Sequence, residues 1–339
     1  MENERAGVGA SEVRVSVSMA IHCELFKMKS IMLTIIAIFG FVLCLSMNMA
    51  SSAKNGVIIG HGRIGSLLYE LNGKKDTLLT SRSDDIPNID GPIYVCTRNN
   101  DLEAIIDKCP PSKRENLVFV QNGILTPYLK NKGLEENTQA LVYFAVSKLG
   151  QAPIDSITDT NPEGLTAVTG KWADDFKSRL NAADLACNVL DKELWTVAML
   201  EKHIWICAFM AVGAKYGCSV GQVERKHSEE IRTVIGELGR TATLETEVSF
   251  PAGLDDRLCA YARSVAHFPT ALKEFEWRNG WFANISFKYV VQQKEDPCPS
   301  HTAILASQGN FLFNARKKWI LEKKSRALVV KHGNIQRYK

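Results

Sequence analysis

The sequence predicts an α/β domain with a parallel sheet, followed by an all-helical domain. Three observations predict it. Short apolar runs alternate with segments of helical spacing through the first half, the pattern of βαβ units. A glycine-rich turn, Gly60-His61-Gly62-Arg63-Ile64-Gly65, separates the first such run from the first helix. Beyond Asp191 strand signals become scarce and long helical patterns take over. The length of 339 residues suits about two domains. With 45% hydrophobic and 23% charged residues the chain can bury a core, which excludes wholesale disorder.

In chain order, strands are expected at 55–59, 77–80, 92–97 and 116–121, with helices at 64–71 and 101–108. Further strands are expected at 138–148 and 165–170, and an amphipathic helix at 171–189. A boundary near Asp191 precedes a long apolar helix over 193–217, and helical patterns continue over 221–240 and 254–267. Pro297-Cys298-Pro299 reads as a loop or terminator. The expected organisation is an N-terminal extension (1–53), a domain with the glycine turn (54–190), a helical domain (191–288) and a basic C-terminal extension (289–339).

The net charge of +4 comes from 41 basic and 37 acidic residues, and this near balance argues against nucleic acid as a partner. It is unevenly spread: 311–339 holds nine basic residues and one acidic one, so the rest is weakly acidic. A basic helix there, around Trp319, would suit an anionic membrane or a partner; the plainer reading is a solvated extension. Residues 30–52 carry no charge, follow Lys27 and Lys29 and precede small residues, a signal-peptide pattern. An uncleaved anchor with membrane association through 31–49 is the second reading. The nine cysteines include no CxxC pair and read as buried thiols, with no metal site expected. Organelle targeting or a membrane-tethered cytosolic domain therefore fits better than secretion, with a cytoplasmic location as the alternative.

The glycine turn lies between a strand and a helix, the context that the dinucleotide fingerprint of a Rossmann domain requires. The first glycine makes the tight turn, the second admits the pyrophosphate and the third lets helix and strand pack closely. Gly60, Gly62, Arg63, Ile64 and Gly65 are thus the expected cofactor-binding residues, with the His61 and Arg63 side chains facing solvent. The next strand ends at Thr80-Ser81-Arg82. Arg82 stands where an acidic residue would hold the ribose of NAD, and a planar, permanently charged fork suits the 2′-phosphate of NADP. Asp84 and Asp85 follow, which keeps NAD open.

Further along stand Thr97-Arg98, Gln121-Asn122-Gly123, Glu201-Lys202 and Lys273-Glu274-Phe275-Glu276-Trp277-Arg278-Asn279-Gly280. In this order and spacing the chain resembles the ketopantoate reductases (2-dehydropantoate 2-reductases) over about residues 55–286. The resemblance implies a Rossmann domain followed by an all-helical domain of the 6-phosphogluconate dehydrogenase C-terminal type. It also implies a cleft between them and NADPH-dependent reduction of a 2-keto acid, the reaction that serves pantothenate biosynthesis. In that reading Lys202 is the general acid, Glu274 holds a substrate hydroxyl, Asn122 positions substrate and nicotinamide, and Arg98 lines the cofactor side. A homodimer is expected from the apolar leading helix.

Each assignment has a plainer reading: Lys202 as a solvated helix end, Glu274 on an exposed helix face, Asn122-Gly123 as turn chemistry, His203 and His267 as structural histidines. The chain also departs from the family. Two asparagines that usually follow the lysine, one and two helical turns on, are here Ile206 and Met210, which removes polar substrate contacts. Thr270 keeps a hydroxyl where the family carries a serine on the approach to the Glu274 element. The alternatives to a reductase are a non-catalytic NADP-binding or redox-sensing protein on the same scaffold, and a membrane-tethered interaction protein.

Overall fold

The computed structural model describes residues 53–146 and 148–309. The apolar N-terminal segment and the basic tail lie outside the described residues.

A seven-stranded sheet is built from β1 (Val57–Ile59), β2 (Thr77–Leu79), β3 (Ile93–Val95), β4 (Leu117–Phe119), β5 (Gln139–Leu141), β6 (Ala167–Thr169) and β7 (Asn188–Val189). Its order is β2-β1-β3-β4-β5-β6-β7. The first five strands run parallel, β6 is antiparallel to β5, and β7 is parallel to β6. Parallel neighbours need crossovers. Helices α1 (Arg63–Leu71), α2 (Leu102–Lys108) and α3 (Thr126–Asn131) follow β1, β3 and β4, whereas β2 reaches β3 through a loop. β3 (IYV) and β4 (LVF) are buried at every position, as strands covered on both faces must be.

Two expected elements differ. The strand expected over 138–148 is three residues long, because the Tyr143 amide bonds to the Thr166 hydroxyl instead of continuing the ladder. The helix expected over 171–189 is α4 (Ala173–Asn181) followed by β7. Asp184 takes a left-handed conformation after α4, and the Asn188 and Leu190 amides then bond to the carbonyls of Thr166 and Val168.

Arg179 on α4 bolts this domain together. Its guanidinium donates to both Asp76 oxygens at 2.6 and 3.0 Å, to Asp175 at 3.0 Å and to the Lys54 carbonyl. Asp76 also accepts from the Gly56 amide and the Asn72 side chain, so one buried pair ties the start of β1, the end of α1 and the start of β2.

The second layer is helical: α5 (Lys192–Tyr216), α6 (Val220–Lys226), α7 (Ser228–Thr246), α8 (Leu254–Ser264), α9 (Asn279–Val291) and α10 (Pro299–Ser307). Asp191 caps α5 by accepting from the Leu194 amide, and Gly217 ends it in a left-handed turn. α5 is long and apolar enough to cross a membrane, yet 72% of its most apolar stretch is buried within the chain itself. A helix apolar on all sides belongs in a core. Its apolarity is accounted for without a second copy of the chain. The helical pattern over 221–240 breaks at His227, whose dihedrals (φ −130°, ψ 35°) separate α6 from α7. The stretch 297–299, read as a loop or terminator, instead leads into α10. Pro299 opens that helix, where its missing N–H is no loss, and Cys298, Ile304 and Leu305 are buried in the helical core. The helical layer thus runs past 288 to Ser307. The seven described cysteines are all free thiols.

Asp76→Ala should destabilise the protein by about 3–5 kcal/mol, because it strands the Arg179 charge in the core. Arg232→Ala, which breaks exposed pairs to Asp255 and Asp256, should cost less than about 1 kcal/mol. Urea denaturation of the two variants checks the contrast.

Candidate functional site

β1 lies between β2 and β3, so the chain reverses direction across the sheet at this point. Such a switch opens a crevice beyond the carboxyl ends of the strands. Gly60 stands there with φ 103°, a conformation that side chains resist. A Cβ on Gly65 would lie 2.0 Å from the Gly60 carbonyl oxygen. A Cβ on Gly62 would meet nothing within 4 Å, so open space lies beside the turn at the N-terminus of α1.

One cavity of about 170 Å³ adjoins this turn, lined by Gly60, Ser81, Arg82, Asp84, Ile105 and Lys108 among others. Arg82 is 91% exposed and pairs with Asp101 at 2.8 Å. Asp84 accepts from the Thr80 and Ser81 amides at 2.9 and 2.8 Å, so its carboxylate is engaged in shaping the loop. Lys108 donates to the carbonyls of Arg82 and Ser83. The sequence did not single out Lys108, because only the packing of α2 carries it across to the end of β2. Arg98 is exposed in the loop after β3.

The second cavity, about 290 Å³, opens between the sheet and the helical layer. Asn122 and residues 142–146 line one side, and Lys202, Trp205, Ile206, Met210, Phe268 and Arg278 the other. Arg63, expected to face solvent, also lines it and donates to the Val146 carbonyl at 3.0 Å.

Lys202 lies about three turns into α5 and is only 6% exposed, so it is not a solvated helix end. The helix divides three neighbours among three environments. Glu201 pairs with Arg257, Lys202 enters the cleft, and His203 stacks on Phe282 in the helical core. The Lys202 ammonium donates to the Val142 carbonyl at 2.5 Å and sits 4.5 Å from the Tyr143 ring centre. Burial, helped by the nearby Arg278 charge, lowers its pKa to about 7.

Glu274 bridges the two layers. It adopts a left-handed conformation (φ 47°), accepts from the Asn99 amide at 3.2 Å and accepts from Arg278 at 2.5 Å. Asn99 in turn donates to the Asn122 carbonyl, so Glu274 and Asn122 belong to one hydrogen-bonded chain. Gln121 fixes the loop from below by donating to the carbonyls of Val95 and Thr97. Gly123 packs directly on the Trp277 carbonyl, which accepts from the Ile124 amide. The two sequence motifs around Asn122 and Glu274, 152 positions apart in the chain, therefore meet. His203 is buried with its Nδ1 unpartnered, whereas His267 is exposed. Thr270 is held away from the cleft by its bond to the Cys218 carbonyl, and Phe268 lines the cleft instead. The role of Arg278 was not legible in the sequence.

No protein-family model and no curated protein matches this sequence. Solved structures do. A dimeric ketopantoate reductase from Staphylococcus aureus is 16% identical, over 77% of this chain and 100% of that one, with a TM-score of 0.56. A ketopantoate reductase from Ralstonia eutropha JMP134 is 15% identical, over 77% and 99%, with a TM-score of 0.55. D-mandelate dehydrogenase in complex with NADH and anilino(oxo)acetate is 14% identical, over 74% and 97%, with a TM-score of 0.52. At such identities the likeness is one of fold: a Rossmann domain followed by a helical domain.

Gly123→Ala should destabilise the protein by about 1–3 kcal/mol. The added Cβ would lie 2.3 Å from the Trp277 carbonyl oxygen at φ 109°. Thermal or urea unfolding measures the loss.

Proposed function

We propose that this protein is an NADPH-dependent reductase that converts a 2-keto acid into a 2-hydroxy acid. The observation that carries the reading is Lys202, a buried ammonium in the cleft between the two layers, close to the glycine turn. The turn fits a dinucleotide: Gly60 and Gly65 allow the tight approach, and the space beside Gly62 leaves room for a pyrophosphate at the start of α1. Arg82, with Lys108 beside it, favours a 2′-phosphate, since the carboxylate of Asp84 is already committed to backbone amides. Bound there, NADPH would supply the hydride that reaches the keto carbon.

The residues of this chain do the rest. Lys202 passes a proton to the carbonyl oxygen, leaving a hydroxyl on the product and a neutral amine on the enzyme, which takes its next proton from solvent. Before that transfer the ammonium stabilises the charge developing on oxygen, an effect strengthened by burial. The Val142 carbonyl holds Nζ in place, and Asn122 lines the facing wall. The D-mandelate dehydrogenase and the ketopantoate reductases named above support the same reading, because mandelate is a 2-hydroxy acid and ketopantoate a 2-keto acid.

Lys202→Ala should lower kcat by about 10²–10⁴-fold with NADPH affinity unchanged. The protonated amine is the acid, so kcat/KM for reduction should be level below about pH 7 and fall about tenfold per unit above it. Stopped-flow NADPH oxidation across pH 5.5–9, on the wild type and the variant, checks both; a level profile through pH 9 removes Lys202 from the role. Arg82→Ala should weaken NADPH binding by about tenfold or more and leave NADH binding unchanged, as read by fluorescence titration.

A further inference from the structure

The cleft holds two cationic groups of different character. Lys202 is committed to the reacting oxygen in the reading above. Arg278 has no place in that reading, yet it lines the same cleft and lies near enough to depress the lysine's basicity. It stands just before α9, where one Nη donates to Glu274 and the remaining edge of the guanidinium is uncommitted. Its Nε is buried and has no hydrogen-bond partner. A guanidinium presents five donors in a fixed fork, and one carboxylate occupies only one side of it. Glu274 therefore acts as a brace that holds the fork in place while other donors stay available. Arg63, the other arginine of the cleft, sits at the dinucleotide turn and is spent on the Val146 carbonyl.

The face of α5 beyond Lys202 is apolar. Ile206 and Met210 lie one and two turns beyond Lys202 on the same face of α5, and Phe268 and Phe144 add apolar surface to the cleft. The Tyr261 ring packs on Trp205 and Tyr143, and its hydroxyl is spent on the Tyr143 carbonyl. A substrate hydroxyl placed against Ile206 and Met210 would lose water and gain no partner, whereas an apolar group would gain contact. The cavity of about 290 Å³ is at the small end of ligand pockets, which run from about 300 Å³.

We infer that Arg278 anchors the substrate carboxylate and that the apolar wall takes the substrate side chain, so the substrate class is 2-oxo acids with an aromatic or branched apolar group. In a 2-oxo acid the carboxylate and the keto oxygen stand on adjacent carbons. Two cationic side chains lining one cavity of about 290 Å³ match that arrangement. The inference rests on the reductase reading and narrows it.

The test is initial-rate NADPH oxidation by the full-length protein with benzoylformate, its methyl ester and ketopantoate. The expected result is a kcat/KM for benzoylformate at least about tenfold above that for ketopantoate. Arg278→Gln should raise KM for benzoylformate by about 10–100-fold, change KM for the neutral methyl ester by less than about threefold, leave NADPH affinity unchanged, and be partly rescued by Arg278→Lys. Met210→Asn should shift preference toward ketopantoate, which keeps the inference testable if the Arg278 variants fail to fold. A wild-type preference for ketopantoate, or an unchanged KM for benzoylformate in a folded Arg278→Gln, overturns the inference and leaves the reductase reading standing. Absence of turnover with every 2-oxo acid, while NADPH still binds, overturns the reductase reading itself.

Discussion

Burial of α5 is the constraint on which the second half of the molecule depends. Its 25 residues are apolar around nearly the whole circumference, so no single partner face can satisfy it. The chain solves this by wrapping α6, α7, α8 and α10 about it and setting part of it against β6 of the sheet. A helix buried along most of its length is a rigid mount. A lysine on it that faces an opening in the packing has its position set by the core rather than by a loop.

That mount creates an electrostatic problem that the cleft uses. An ammonium withdrawn from water is destabilised unless it finds polar partners. The Val142 carbonyl and the Tyr143 ring provide two, and Arg278 opposes them with a like charge. The balance leaves Lys202 near neutrality's edge at physiological pH, where an amine serves as an acid in one direction and a base in the other. Glu274 limits the cost of the second cation by pairing with Arg278, and it joins the helical layer to the Asn99 amide of the sheet layer.

Much of the sheet was legible because its signal is local. Strands expected at 55–59, 77–80, 92–97 and 116–121 contain β1 to β4: β1, β3 and β4 lie inside the sheet and read as continuous apolar runs, and β2 at its edge keeps a short apolar pair. β7 was not legible. Asn188–Val189 is too short for a pattern, and its strand character comes from the Thr166 and Val168 carbonyls it meets. The break at His227 and the continuation into α10 were equally hidden. Helical periodicity does not register a one-residue change of direction, and the proline at the head of α10 looks like a terminator until its position in the helix is known.

The sequence by itself determined the order of the two layers, the glycine turn, the basic end of β2 and the lysine that follows the domain boundary. Each rests on neighbours in the chain, so each is written in a short stretch. The tertiary structure alone decided which side chains share a cleft. Arg278, Phe268 and Tyr261 come to face Lys202, and Arg63 turns from solvent to the Val146 carbonyl, through packing between segments far apart in sequence. It also decided the state of Lys202, because the desolvation that lowers its pKa belongs to the enclosing core and has no counterpart in the linear chain.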